Sequence, residues 1–398
     1  MRKRNVLILA VSAALLGGIV FFAPEARRLY NVIHLFDKEH ITENFRDMKS
    51  MFEYHEVHRD GPVRNFARRP AALPSHFVVN GQKIDMADFL EKTWTTGFIV
   101  IKGEDIVHES YYRGNDENSK CISWSVGKSI VSALLGIAFH EGLIKDIHDP
   151  ITNYLPVLKD SGYDGVPIKD IMNMSSGIHF DEDYGAFNSD INRMGRTLAL
   201  RTSMQDFILS LKRERPSGKV WHYVSMDTQV LGMLLRKTTG RTLSEYLQEK
   251  IWTKAGMESN AYWLTDSTGM ELAFGTLNVT LRDFARFGAL YRDGGRAMGQ
   301  QIVPAGWVKA SVVPDAPHLM PGKHGDSTML FGYGYQWWIP EHSEGDFLAI
   351  GVYNQFIYVN PGRNIVIVKT SAYPDYNKDG DYKEYETTEM FQTIARSL

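Results

Sequence analysis

The segment that restricts the fold most is residues 126–138, which reads VGKSIVSALLGIA. Apolar and small side chains would cover almost every face of this segment as a helix, and such a helix is buried on all sides in a globular domain. Upstream, Gly97 to Tyr112 has a strand-like composition interrupted by the turn residues Gly103-Glu104-Asp105. The sequence therefore predicts a β-hairpin followed by a central, fully buried helix.

Strand-like segments return near the C-terminus, after a long region, residues 145–320, that reads mostly as helices and loops. This order predicts an α+β fold: an antiparallel sheet flanked by helices, in which the N-terminal and C-terminal strands pair, with an inserted, mainly helical lobe. The predicted late elements are strands at Phe331–Ile339, Asp346–Gly351, Gln355–Val359 and Asn364–Ser371, and a last helix at Thr387–Ser397.

The N-terminus carries the basic residues Arg2-Lys3-Arg4 and then 18 uncharged residues, Val6 to Ala23, a length that can span a bilayer. We favour an uncleaved membrane anchor with its N-terminus in the cytoplasm. A cleaved signal peptide is the alternative, although Ala23-Pro24-Glu25-Ala26 is a poor cleavage site. The predicted divisions are a signal-anchor at residues 1–28, a stalk or wrapping arm at residues 29–74 and a folded domain at residues 75–398.

Charge and cysteine content exclude two classes of function. The chain has 44 Lys and Arg against 47 Asp and Glu, a net charge of −3, and no basic block, so we expect no nucleic-acid partner. The single cysteine, Cys121, cannot form an intramolecular disulfide or a cysteine-rich metal site.

Two short motifs can carry chemistry. Ser125-Val126-Gly127-Lys128 begins the buried helix, and a spacing of three puts both functional side chains on one helical face. A partly desolvated lysine amine can take the serine proton and turn the hydroxyl into a nucleophile. The second motif is Tyr223-Val224-Ser225, where a tyrosine beside the lysine ammonium would favour the phenolate and transfer protons.

These motifs resemble those of the serine β-lactamase-like hydrolases, within the branch of class C β-lactamases, carboxylesterases and 6-aminohexanoate-dimer hydrolase. The resemblance covers most of residues 75–398. It also extends through Asp149–Pro156, Ile168–Ile178, Gly240–Met257 and Leu281–Pro304.

The resemblance implies a β-lactamase/transpeptidase-like fold and a role for each matching residue. Ser125 would be the acyl-enzyme nucleophile, Lys128 its proton partner and Tyr223 the general acid/base. The backbone N–H groups of Ser125 and Val352 would form the oxyanion hole, which needs only main-chain donors. Ser225 would contact the substrate.

The chain departs from the family pattern at two places. Ser225 stands where many members have asparagine, and Ala349-Ile350-Gly351 stands where they have Lys-Thr-Gly. Gly351 is thereby a predicted substrate-binding position, whereas Lys369 of Lys369-Thr370-Ser371 falls one strand too late. Because the groups that would hold a β-lactam carboxylate are missing, we expect weak or no β-lactamase activity.

Residues 375–386 match the pattern of a calcium-binding loop, with oxygen ligands at Asp375, Asn377 and Asp379, a glycine at the sixth position and Glu386 at the twelfth. Against a structural calcium site stand the strand-like segment before the loop, and the tyrosine and lysine at positions eight and nine. A solvated polar loop is the alternative.

The predicted function is a serine hydrolase that forms an acyl-enzyme on a small ester or amide, with no cofactor required for catalysis. The alternatives are a penicillin-binding-type D-amino peptidase and a non-catalytic envelope module for binding or sensing. Candidate pocket walls are the aromatic segments 184–187 and 333–338 and Trp263. The predicted localisation is the bacterial inner membrane with the catalytic domain outside the cytoplasm, or secretion if the N-terminal segment is cleaved.

Overall fold

The computed structural model describes residues 27–323, 329–376, 378 and 382–398. The strands are β1 Tyr54–Val57, β2 Ala67–Arg68, β3 His76–Val79, β4 Gln82–Asp85, β5 Thr95–Lys102, β6 Asp105–Tyr111, β7 Lys120–Ile122, β8 Ala261–Leu264, β9 Leu277–Thr280, β10 Arg296–Ala297, β11 Gln300–Gln301, β12 Gly332–Tyr333, β13 Trp338–Ile339, β14 Phe347–Gly351, β15 Gln355–Asn360 and β16 Ile365–Ser371.

The α-helices are α1 at residues 27–33, α2 Ile41–Asn44, α3 Met86–Lys92, α4 Val126–His140, α5 Ile168–Met172, α6 Asp190–Ala199, α7 Met204–Ser210, α8 Ser225–Thr239, α9 Leu243–Leu247, α10 Leu281–Arg292, α11 Ala305–Ser311 and α12 Tyr382–Ser397. A π-helical turn at Gln248–Trp252 follows α9. Short 3₁₀ turns lie at Met48–Ser50, Ile151–Asn153, Pro156–Leu158 and Pro317–Leu319.

The main sheet has eight strands in the order β12-β13-β14-β15-β16-β5-β6-β2. The late strand β16 pairs antiparallel with the early strand β5, which confirms the predicted pairing of N- and C-terminal strands. β5 and β6 form the predicted hairpin. The edge strand β2 runs parallel to β6, so the sheet is mixed rather than purely antiparallel.

Both faces of this sheet are covered, and every residue of its strands β14, β15 and β16 is therefore buried. On β5, Phe98 and Val100 face the side where α12 packs, whereas Ile99 and Ile101 face the side of α4 and α10. A second sheet has four strands in the order β1-β8-β9-β7. The α+β architecture predicted from the sequence is confirmed.

The predicted central helix is α4, and all of its residues from Val126 to Ala138 are buried. It packs against α8, α11 and strands β14 and β15. Gly136 allows the contact with α11, because a Cβ there would lie 2.4 Å from the ring of Trp307. The helix that bears the Ser-x-x-Lys motif is thus fixed from several sides.

Residues 29–74 contribute to the core. Leu35, Ile41, Phe45 and Met48 are buried in the main hydrophobic cluster. Strand β1 pairs along its length with β8. These residues thus pack against the rest of the fold, while the predicted division into a stalk or wrapping arm and a folded domain stays a prediction.

The predicted localisation is corrected by the structure. In the part of the chain that is described, no helix is long and apolar enough to cross a membrane. A span needs about 20 apolar residues, whereas α4, the helix with the most continuous burial, has 15 and lies inside the domain. The uncharged stretch Val6 to Ala23 itself lies outside the described residues.

Candidate active site

Ser125 lies directly in front of α4, where the chain turns sharply from β7 into the helix. The turn includes Trp124, which has a positive φ of 42°. Ser125 itself has helical dihedral angles, so its side chain and that of Lys128 lie one turn apart on the same face. The Nζ atom of Lys128 is 2.8 Å from Oγ of Ser125. The structure therefore brings the two predicted residues into hydrogen-bond contact.

Lys128 is almost completely buried, with 1% of its surface exposed. Its Nζ also donates to the carbonyl oxygen of Phe274 at 2.6 Å and to Oγ of Ser225 at 3.3 Å. Burial lowers the pKa of Lys128 to about 7, although the nearby carboxyl groups of Glu182 and Asp227 act in the opposite direction. A lysine with this pKa loses its proton near neutral pH and can then accept the hydroxyl proton of Ser125.

Two acidic residues beside Lys128 were not selected from the sequence. Glu182 accepts a hydrogen bond from the backbone N–H of Ser225 at 2.7 Å, and burial raises its pKa while Lys128 lowers it. Asp227, on α8, accepts from the hydroxyl of Tyr163 at 2.8 Å, and burial raises its pKa well above the ordinary value. Burial thus shifts both carboxyl groups towards the neutral form.

The sequence carries only a weak signal for Glu182. It belongs to the acidic run Asp181-Glu182-Asp183, and such a run is usually a solvated loop. Its contact with Ser225 joins positions 43 residues apart. Only the folded chain brings them together.

Tyr223 lies next to the nucleophile, and its hydroxyl hydrogen-bonds to the side chain of Ser125. Its ring centroid is 5.1 Å from Nζ of Lys128, and the ring stacks on Trp338 at a centroid distance of 5.4 Å. The expectation that the lysine would favour the phenolate is corrected. Burial raises the pKa of Tyr223, and Glu182 raises it further. Tyr223 is therefore held as a phenol, which is the form that donates a proton.

Strand β14 ends beside the nucleophile at Gly351. A Cβ atom on Gly351 would lie 2.9 Å from the carbonyl oxygen of Ser123 and 3.1 Å from the backbone nitrogen of Ser125, so only glycine allows this approach. Val352 follows directly and borders the same cavity as Ser125. This arrangement is compatible with an oxyanion hole formed by the backbone N–H groups of Ser125 and Val352, which stays a prediction.

Lys369 lies on β16, which β15 separates from β14. It is fully buried, and its Nζ donates to Oδ1 of Asn354 and Oγ of Ser371, each at 2.5 Å. Burial lowers its pKa well below the ordinary value. Lys369 therefore supports the turn that follows Val352 instead of contacting Ser125.

The predicted calcium ligands are only partly described. Asn377 and Asp379 lie outside the described residues. Asp375 pairs with Lys378 at 2.6 Å, and the buried Glu386 on α12 pairs with Lys383 at 2.6 Å. Within the described ranges, no group of three or more His, Cys, Asp or Glu side chains could hold a metal ion. The calcium site stays a prediction.

A cavity of about 720 Å³ opens beside Ser125. Ser225 and Val352 also line it, together with the predicted wall residues Tyr184 and Phe187. The other aromatic predictions have different positions. Trp263 is completely buried in the core, and the ring centroids of Tyr333 and Trp338 lie 6.3 Å and 5.4 Å from that of Tyr223.

Comparison with known proteins places this geometry in a family context. The model of the family described as Beta-lactamase matches residues 86–389. The 6-aminohexanoate-dimer hydrolase of Paenarthrobacter ureafaciens is 30% identical over 327 residues, which cover 79% of this chain and 83% of that protein.

Two solved structures have a similar fold. A Bacillus anthracis protein provisionally described as a 6-aminohexanoate-dimer hydrolase has a TM-score of 0.80 and 25% identity, covering 92% of this chain and 96% of its own. EstCE1, described as a hydrolase with promiscuous acyltransferase activity, has a TM-score of 0.61 and 13% identity, covering 78% of this chain and 96% of its own. The likeness to EstCE1 concerns the fold alone.

Proposed function

The chain belongs to the Beta-lactamase family, and we propose that it is a serine hydrolase. In this proposal Ser125 forms an acyl-enzyme on a small ester or amide. The relative from Paenarthrobacter is likewise named as a hydrolase. The observation that carries the proposal is the state of Lys128. Its amine is buried, its pKa is lowered to about 7, and Nζ lies 2.8 Å from Oγ of Ser125. A base poised near neutral pH within reach of a hydroxyl is the requirement for an activated serine.

In the proposed first half-reaction, neutral Lys128 accepts the proton of Ser125 while Oγ bonds to the carbonyl carbon of the substrate. The carbonyl oxygen becomes an oxyanion, which the N–H groups of Ser125 and Val352 would stabilise. Tyr223, held as a phenol, donates its proton to the leaving alkoxide or amine as the scissile bond breaks. The proton gained by Lys128 then restores the phenol of Tyr223.

In the second half-reaction, water attacks the acyl-enzyme and loses a proton to the same pair of residues. The ester bond to Oγ breaks, Ser125 regains its proton, and the acid product leaves. Ser225 has a supporting part, because its Oγ lies 3.3 Å from Nζ of Lys128 and its backbone N–H donates to Glu182. Ser225 thus links the base to the carboxyl group that affects its pKa.

Both substrate types have support. The named relative from Paenarthrobacter acts on the 6-aminohexanoate dimer, a linear amide, which favours an amidase. The proposed mechanism applies to esters as well, because an activated serine attacks an ester carbonyl by the same route. The substitution of Lys-Thr-Gly by Ala349-Ile350-Gly351 supports weak or no hydrolysis of β-lactams.

The test is covalent labelling by a fluorophosphonate probe together with hydrolysis of p-nitrophenyl acetate, a linear amide and a chromogenic cephalosporin. We expect labelling at Ser125, turnover of the ester or the amide, little turnover of the cephalosporin, and loss of labelling and turnover in Ser125→Ala. Hydrolysis that survives Ser125→Ala would refute the assigned nucleophile. A folded wild-type protein with neither label nor turnover would support a binding module instead.

A further inference from the structure

The cavity beside Ser125 has the wrong chemistry for a strongly charged substrate. Among the described residues that line it, Arg196 alone carries a formal charge. That guanidinium is held against Phe187 in the cavity wall, because it donates to the carbonyl oxygen of Phe187 at 2.6 Å and lies 4.3 Å from the centroid of the Phe187 ring. Most of the remaining wall is aliphatic or aromatic, for example Leu264, Leu272 and Met194.

The position of the cavity relative to the proposed acid indicates which part of the substrate it receives. Ser125, Ser225 and Val352 border the cavity, whereas Tyr223 is not among its lining residues. A leaving group has to depart next to Tyr223, which donates the proton. The cavity, which borders Ser125 but not Tyr223, is therefore placed to receive the acyl part.

The mouth of the cavity is also apolar. Ile33, Phe36 and Phe187 line the cavity and are 66%, 47% and 75% exposed. Isolated exposed apolar residues are ordinary, but three that line one apolar cavity and are also exposed give it an apolar entrance. An aliphatic chain that enters past these side chains meets mainly apolar surface, with Arg196 as the one formal charge among the described lining residues.

We propose that this cavity is an acyl-chain pocket and that the preferred substrates are esters or amides of uncharged, medium-length aliphatic acids. The inference rests on the proposed function, since it assumes acyl transfer through Ser125. A volume of about 720 Å³ is in the range of pockets that enclose a whole small molecule. The wall residues come from residues 29–74, from α6 and from the turn after β14. These three segments together therefore set the length of acyl chain that the pocket can hold.

Helix α6 offers a position at which the pocket can be filled selectively. Gly195 lines the cavity one turn after Ile191 and one turn before Ala199, which also line it, and so it lies on the cavity face of the helix. A Cβ atom on Gly195 would meet no atom within 4 Å. The change Gly195→Phe should therefore place a ring in the pocket without a clash in the core.

The matched control is Gly306→Phe. Gly306 is also an exposed helical glycine with no atom within 4 Å of an added Cβ, but it lies on α11 and does not line the cavity. The same ring is thus added to both proteins, in one case inside the pocket and in the other on a distant helix.

The experiment measures kcat/KM for p-nitrophenyl acetate, butanoate, hexanoate, octanoate and decanoate, which share one leaving group. We expect kcat/KM of the wild type to rise with chain length by up to about fourfold per methylene, the value of one buried CH₂, until the pocket is full. Gly195→Phe should remove most of the gain in kcat/KM from acetate to the longer chains, whereas Gly306→Phe should follow the wild type. An ω-amino hexanoyl ester should be a poorer substrate than the hexanoate.

Each outcome decides between the two proposals. Ser125-dependent hydrolysis of acetate with no gain from longer chains, or a gain that Gly195→Phe leaves intact, would overturn the acyl-chain pocket and leave the serine hydrolase standing. A preference for the ω-amino ester would also overturn it, since it requires an acceptor for the ammonium. Absence of Ser125-dependent hydrolysis of every ester would overturn the acyl-chain pocket, and if Ser125 were also neither labelled nor needed for amide hydrolysis, the serine hydrolase would be overturned with it.

Discussion

A stability measurement tests the central assumption, which is that Lys128 is neutral at working pH. Burial lowers the pKa of Lys128 from the ordinary 10.5 to about 7, so the folded and unfolded states differ by about 3.5 in the pKa of this lysine. At about 1.36 kcal/mol per unit, protonating this lysine in the folded state costs about 5 kcal/mol more than in the unfolded chain. Between pH 7 and 10.5 the unfolded state binds more protons, so this group makes the free energy of unfolding rise with pH; below pH 7 the full penalty is present.

Replacing the lysine by an uncharged side chain of similar length removes this pH dependence. In Lys128→Met, the hydrogen bonds to Ser125, Ser225 and Phe274 are lost, which lowers the free energy of unfolding by about 1 kcal/mol each. This loss is the same at every pH, because the variant has no amine at position 128 to titrate. The wild type should therefore gain stability over the variant by about 1 kcal/mol per pH unit across that range. Lys369 is present in both proteins and cancels in the difference.

The assay is urea unfolding of the wild type, Lys128→Met and the control Lys159→Met, which changes an exposed lysine, at steps between pH 7 and 10.5. The curve of free energy against pH for Lys128→Met should converge with or fall below that of the wild type as pH rises, and Lys159→Met should run parallel to the wild type. Parallel curves for Lys128→Met as well would show that Lys128 has an ordinary pKa and would refute its role as a neutral base.

Three further predictions concern activity. First, kcat/KM of the wild type should rise with pH through about 7 as Lys128 loses its proton. In Glu182→Gln the midpoint of this rise should move to lower pH, because the carboxyl group that raises the pKa of Lys128 is gone. A pH–rate profile with an unchanged midpoint would contradict this. Second, Tyr223→Phe should lower the hydrolysis of alkyl esters and amides by about a hundredfold or more while affecting p-nitrophenyl esters less, since p-nitrophenolate leaves without a proton; equal losses on both would exclude Tyr223 as the acid. Third, Gly351→Ala should reduce kcat by about tenfold or more, because the added methyl group would push β14 away from Ser125. The control Gly362→Ala, where an added Cβ has one contact at 3.6 Å, should retain the wild-type kcat. Equal kcat values for the two variants would refute the close approach of Gly351 to Ser125.

Local patterns in the sequence were sufficient for the elements that carry the nucleophile and the base. The run of apolar residues in α4 predicted a helix buried on every face, and a spacing of three within one helix predicts the contact between Ser125 and Lys128 from helical geometry alone. The pairing of β5 with β16 followed from strand patterns at both ends of the chain. Each of these predictions depends on residues close together in the sequence, or on the rule that a segment apolar on every face is buried.

What the sequence did not reveal depends on burial of groups that are distant along the chain. The acidic run at Glu182 looks like a solvated loop until the fold places it on the backbone N–H of Ser225. The protonation of Tyr223 was predicted wrongly, because proximity to a lysine favours the phenolate in isolation, whereas desolvation dominates in the folded site. The sign of a pKa shift is set by competition between burial and charge, and burial is a property of the whole fold.

Burial also explains how an amine and two carboxyl groups can lie together without Lys128 being fixed in its charged form. An ammonium beside two carboxylates would ordinarily form a salt bridge, which would hold Lys128 protonated and useless as a base. Burial instead lowers the pKa of Lys128 and raises those of Glu182 and Asp227, so all three groups move towards their neutral forms. An apolar cavity beside such a site suits an uncharged acyl group, because a charged group would lose its hydration there without gaining a partner of opposite charge.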